Sequence, residues 1–185
     1  MSKIIQKTYT LKNGLAINIR NARLIDAEQL IDINLSIIDE NLYMLRSSGE
    51  AFYTPEGEKE KIIRNNGSEG SLYIVAEADG KVRGYLDFQN GGFRRTRHSG
   101  SFSIYISKEY RNIGIGEILI NTLIDWAKSG NLIEKITLAV FSTNEKAMKL
   151  YNKLGFIEEG RCPKDMKLED GTYMDSVLMY KFIEV

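Results

Sequence analysis

The residues Arg111-Asn112-Ile113-Gly114-Ile115-Gly116 stand between two apolar patterns. Before them Phe102, Ile104 and Ile106 alternate like one face of a strand. After them Ile115, Ile118, Leu119, Leu123, Trp126 and Ala127 recur at three- and four-residue intervals, like one face of a helix. Gly130 stops that helix. A helix start has N–H groups without intrahelical partners and a partial positive charge, so a phosphate placed there gains hydrogen bonds and field stabilisation together. Glycines at 114 and 116 let an anion approach the backbone, and Arg111 can add a charged contact from the rim. Two known phosphate motifs are excluded. Position 119 is Leu where a dinucleotide loop has its third glycine, and no Gly-Lys-Ser/Thr follows as in a P-loop. Two glycines near a helix start also fit a plain turn, so the loop needs a second signal.

That signal lies downstream. Asn144 is placed to cap a helix on which Ala147, Leu150, Tyr151 and Leu154 share a face, Gly155 ends it, and Phe156-Ile157 opens a strand. Tyr151 is either a core aromatic of that helix or a phenol that can donate a proton; Asn144 is a cap, with or without a ligand contact.

The remaining elements must position these residues. Ile5 to Arg20 alternate about Lys12-Asn13-Gly14, a hairpin signal, and Asp26 can cap a helix with Ala27, Leu30, Ile31, Ile33, Asn34 and Ile37 on one stripe. Asp39 to Pro55 has no clean period and reads as a surface loop or an acceptor-pocket wall. Thr54-Pro55-Glu56 starts a short polar helix that Asn66-Gly67 ends. Leu72 to Ala78 and Val82 to Gln89 form two strands joined by Asp79-Gly80. Ile136, Leu138 and Val140 form another, and Tyr173 to Ile183 the last.

The two motifs, in this order and separated by a predicted strand, resemble the acyl-CoA-binding motif and the motif that follows it in the GNAT superfamily of N-acetyltransferases. The resemblance extends with less force from Leu15 to Ile183. The tail, Gly155 to Arg161, then Asp170 to Asp175 and Met179, resembles the branch containing ribosomal-protein, polyamine and small-amine acetyltransferases. The implied fold is α+β, a mixed and mostly antiparallel sheet of about seven strands flanked by about four helices, over a single domain 1–185. Within it, 1–21 is the N-terminal hairpin, 99–130 the pyrophosphate-binding strand, loop and helix, and 135–185 the C-terminal motif and strands.

The resemblance implies transfer of acetyl from acetyl-CoA to a primary amine by direct attack in a ternary complex, without metal. Ile104 and Ile106 would run beside the pantetheine arm. Arg111, Asn112, Ile113, Gly114, Ile115, Gly116 and Asn144 would bind the cofactor, and Tyr151 would protonate the departing thiolate. In this superfamily the central strand bulges and splays from its neighbour, and an N–H so freed would stabilise the oxyanion, a contribution of about 3 kcal/mol. The base stays open. The central strand Ser101 to Ser107 has no carboxylate, leaving a water chain ending at Asp87, Glu40 or Glu77.

Composition narrows the alternatives. The chain has 185 residues, and 25 Lys plus Arg balance 25 Asp plus Glu, so there is no general attraction for nucleic acid or anionic membrane. One Cys and one His, Cys162 and His98, exclude a disulfide and a zinc ligand set. No helix start or His partner activates Cys162 for an acyl-enzyme route. Without an apolar leader or span, a cytoplasmic setting is expected. The expected partners are a small-molecule or protein-terminal amine and a second copy in a homodimer. The competing readings are a catalytically silent acyl-CoA sensor, and a ribosome- or RNA-associated protein using Arg94, Arg95 and Arg97.

Overall fold

A computed structural model describes residues 3–40, 43, 46, 50 and 52–184. One sheet runs through it in the order β1-β2-β3-β4-β5-β6-β8-β7. Its strands are β1 (Lys7–Thr10), β2 (Ala16–Asn21), β3 (Ser71–Ala78), β4 (Lys81–Asn90), β5 (Ser99–Ile106), β6 (Lys135–Phe141), β7 (Ile157–Lys167) and β8 (Tyr173–Phe182). The helices are α1 (Ala27–Asp39), α2 (Pro55–Gly67), α3 (Ile115–Ser129) and α4 (Glu145–Lys153). All strand pairs are antiparallel except β5 with β6. The strand count is eight rather than about seven, because the N-terminal hairpin extends the sheet through the pairing of β2 with β3.

Local chemistry explains most boundaries. Asp79 and Gly80 have φ of 51° and 70°, the left-handed pair that joins two strands with matching twist. The first hairpin is wider than its Asn-Gly suggests. Thr10 pairs with Ala16, and the intervening turn is closed by Leu11 N–H donating to Leu15 O at 2.8 Å. Thr54 caps α2 by accepting from Gly57 N–H at 3.1 Å, and Pro55 occupies the first turn, where a missing N–H costs nothing.

Asp26 does not cap α1. It lies in a short 3-10 turn, and its carboxylate accepts from Arg23 N–H and, in a fork, from the Arg20 guanidinium at 2.7 and 2.9 Å. Arg20 also binds Glu77 at 2.6 Å, so an ion triad in which Arg20 and Asp26 are nearly dry joins β2, β3 and the entry to α1.

Strand alternation sends the centre of the sheet into two cores. Leu72, Ile74, Leu86, Phe88 and Phe102 pack against α3 and α4. On the opposite face Tyr73, Val75, Val82 and Tyr85 pack against Ala27, Leu30 and Ile33 of α1 and Ile62 of α2. Each aliphatic side chain so buried contributes about 1.5–3 kcal/mol. The site described next lies where β5 and β6 part between these layers.

Candidate active site

β5 and β6 pair at three positions only, Ser99 with Lys135, Gly100 with Ile136 and Ser101 with Thr137. Both strands continue, to Ile106 and Phe141, without a ladder between them. On its other side β5 stays in regular register with β4 from Asn90–Gly100 to Gly84–Ile106, so the expected bulge is absent from that ladder while the expected splay is present. Ser107 N–H donates to Arg83 O on the β4 side, and Gly100 O accepts from Thr137 on the β6 side. By alternation, the carbonyl of Phe102 and the main-chain groups of Ile104 point into the gap beyond the last rung at Ser101 and Thr137, where no strand meets them. An extended amide-bearing chain laid there finds a free strand edge, and a carbonyl beside it finds N–H donors.

The glycine loop sits at the end of β5. Asn112 and Gly114 take φ of 62° and 104°, and Gly114 is the residue from which α3 starts. These left-handed turns gather consecutive amides on one side, an anion-binding concavity continued by the helix start. Among the described residues the N–H groups of Asn112, Ile113, Gly114, Ile115, Gly116 and Glu117 have no hydrogen-bond partner; the first amide of the helix to find one is Ile118, which donates to Gly114 O. Gly116 serves packing as well. A Cβ there would lie 3.2 Å from Leu150 and 3.3 Å from Ile106, so its absence lets α3 approach α4 and β5. The side chains of Ile104 and Ile106 turn into the α3 layer, leaving their main chain as the surface offered to a ligand.

Arg111 is held away from a free rim position. Its Nε donates to Ile106 O at 2.8 Å, and its two terminal nitrogens grip Glu40 at 2.6 and 2.7 Å. The same contact holds the Glu40 carboxyl below its ordinary range, making it a poor proton acceptor. Glu77 is held by Arg20. Of the three carboxylates weighed from sequence, Asp87 alone keeps a buried oxygen without a partner among the described residues: Oδ2 meets Lys61 Nζ at 2.8 Å, while Oδ1 is buried and meets none.

Tyr151 lies on α4 with its ring edge-on to Phe102 and Phe156, at centroid distances of 6.0 and 6.1 Å. Its ring is buried, and its hydroxyl makes no hydrogen bond with the described residues. Burial first, and Tyr105 second, push the phenol up to about 12, so it stays protonated at neutral pH. Asn144 caps α4, accepting from Ala147 N–H at 3.2 Å.

Sequence reasoning missed the cluster under α1 and α2. Tyr85 donates to Asn34, Tyr73 donates to Glu58, and Tyr105 stands 5.1 Å from the Tyr85 ring. The strand alternation of Tyr73, Tyr85 and Tyr105 was visible, but their shared face emerges only from register. The described part of the 39–55 segment lies against the end of β6, where Tyr43 stacks on Phe141 at 6.4 Å, and within it Arg46 lies 5.6 Å from the Tyr53 ring. Residues 41–42, 44–45, 47–49 and 51 of that segment lie outside the described residues.

Other candidates fall elsewhere. Cys162 is on the edge strand β7, with β8 and β6 between it and the gap. His98 is exposed, and its carbonyl accepts from Glu134 and Lys135. A hollow of about 360 Å³ between the N-terminal segment and α3 contains none of the site residues. No group of three or more His, Cys, Asp or Glu among the described residues is arranged to hold a metal.

Residues 40–156 match the model of the acetyltransferase (GNAT) family, spanning the gap, the glycine loop and Tyr151. The chain belongs to the GNAT family. An N-alpha-acetyltransferase of Sulfurisphaera tokodaii is 32% identical over 155 residues, covering 80% of this chain and 84% of its own. A GNAT-family acetyltransferase structure from Streptococcus pneumoniae superposes with a TM-score of 0.86 at 28% identity, covering 90% and 99% of the two chains. A Salmonella typhimurium protein determined with its cofactor acetyl-CoA has the same fold at 20% identity, with a TM-score of 0.81 and coverage of 91% and 95%.

Proposed function

We propose that this GNAT protein transfers the acetyl group of acetyl-CoA to a primary amine by direct attack in a ternary complex. The observation that carries the reading is the parting of β5 from β6 beside a run of unpartnered amides. The amides of 112–117 hold the pyrophosphate, the free edge beyond the Phe102 N–H, at Ile104 and the Phe102 carbonyl, takes the pantetheine amides, and an N–H of that edge faces the thioester oxygen. Tyr151, protonated and unbonded at the gap, gives its proton to the departing thiolate. Arg111 supports the loop through Ile106 O and Glu40.

Calorimetric titration with acetyl-CoA tests the reading. Glutamates at 114 and 116 would also strain the backbone and crowd Leu150, so the informative variant is Asn112→Asp, exposed and already left-handed, a conformation Asp tolerates. It is expected to weaken binding by about fivefold, the effect of about 1 kcal/mol at a helix start. A native chain that ignores acetyl-CoA overturns the proposal. A chain that binds it and turns over no amine in a broad panel is the silent sensor instead.

The proposal includes a homodimer in the cytoplasm. Ile157, Leu178 and Phe182 leave apolar surface exposed on the β7–β8 hairpin, where a second copy finds a contact. Sedimentation at the single-chain mass of 21.1 kDa would remove the dimer.

A further inference from the structure

The proposed transfer needs a group that removes the proton from the acceptor's ammonium before nitrogen can attack. We infer that Asp87 is that proton acceptor, reached from the β5–β6 gap past the exposed Ser103, and that Lys61 is the residue that positions its carboxylate. The inference rests on the acetyl-transfer reading above.

The geometry has three parts. Asp87 on β4 stands opposite Ser103 on β5, and Ser103 is exposed at the level where β6 has already left the sheet. Only β5 therefore stands between the carboxylate and the gap, about 10 Å over two strand spacings, which a short water chain spans. Second, Lys61 Nζ is fixed on Asp87 Oδ2 at 2.8 Å and lies 4.8 Å from the Tyr73 ring and 5.8 Å from the Tyr85 ring, so the ammonium is held from two directions. Third, Oδ1 is left buried with no hydrogen-bond partner among the described residues. A carboxylate whose only task was to pin α2 to the sheet would satisfy both oxygens, because an open buried acceptor is costly. The other groups facing it are committed or neutral: Glu58 is bonded to Tyr73, Tyr85 to Asn34, and Tyr105 keeps its proton because burial and the Asp87 charge both raise its pKa.

The step balances. One ammonium proton passes along the water chain to the Asp87 carboxylate, and the freed lone pair forms the C–N bond at the thioester carbon. The C–S bond breaks with its electrons on sulfur, which takes the Tyr151 proton. The second nitrogen proton restores Tyr151, and Asp87 returns its own to solvent, so one proton is released per amide formed.

The test compares two amines of similar shape, ethylamine, which is protonated near neutral pH, and trifluoroethylamine, which is mostly neutral there. CoA release is followed for native protein and Asp87→Asn, with acetyl-CoA affinity measured by calorimetry as the check on folding. Asp87→Asn is expected to lower kcat for ethylamine by about 100-fold or more, the usual worth of a positioned base, with little change for trifluoroethylamine or for acetyl-CoA affinity. Lys61→Met is expected to show the same selectivity in weaker form. If Asp87→Asn does not bind acetyl-CoA, the double variant Asp87→Asn/Lys61→Met, which removes the pair together, is expected to give the same contrast. Equal losses with both amines would assign Asp87 a structural role, and no loss would remove it from the reaction; either overturns the inference. Native protein that binds acetyl-CoA but acetylates neither amine overturns the inference along with the transfer reading. Failure of the native protein to bind acetyl-CoA is a separate result, and it strikes the cofactor site.

Discussion

Tyr151 joins two roles that are usually in tension, core residue and proton donor. Its ring fills space between Phe102 and Phe156, while its hydroxyl is unbonded, so Tyr151→Phe removes the proton without opening a cavity or stranding a partner. The expected result is a fall in kcat of about 100-fold with unchanged acetyl-CoA affinity, read by CoA release and calorimetry. Its titration also bears on stability. The folded chain holds the phenolic proton to about 12, against an ordinary value of 10.0. That contribution is complete below pH 10 and is lost as pH rises through 12, because the unfolded chain gives up the proton first. Urea denaturation across that window should show a smaller loss of stability for Tyr151→Phe than for the native chain. Glu40 runs the other way: its pKa is lowered by Arg111, so its contribution is present above the ordinary carboxylate range and lost as pH falls through the depressed value.

At the scale of elements, long-range polar contacts fix where helices meet the sheet. The Arg20–Asp26–Glu77 triad ties the start of α1 to β2 and β3, with Arg20 and Asp26 nearly dry. Asp26→Ala leaves a buried guanidinium short of one partner and is expected to cost about 3 kcal/mol, read as a lower urea midpoint with little change in slope. Thr54→Ala removes only the cap of α2 and is expected to cost about 1 kcal/mol. Because α2 carries Lys61 and Glu58 onto the aromatic cluster, that small change should also lower turnover. The α2 cap was legible in sequence, since Thr-Pro-Glu is a local signal. The role of Asp26 was not. An aspartate before an apolar stripe signals a cap, and a buried arginine on another strand outbids the helix amides for it.

For the whole molecule, the charge balance leaves electrostatics to local patches. Arg94, Arg95 and Arg97 form one such patch, exposed with Phe93 on the β4–β5 connection and without ion pairs among the described residues. With no net charge behind them they should not hold single-stranded RNA at physiological salt. Salt-sensitive RNA retention that disappears on replacing the three arginines would establish the competing docking role.

The sequence by itself determined the kinds of element and most of their ends, together with the glycine loop, the Asn144 cap and the family, because periodicity, turn residues and motif spacing act between near neighbours. Only the tertiary structure decided where β6 leaves β5, that Arg111 spends its charge on Glu40 across 71 residues, and that Asp87 alone among the weighed carboxylates keeps a buried oxygen without a partner among the described residues. Those outcomes depend on which distant groups reach one another first across a packed sheet, and no local pattern encodes that competition.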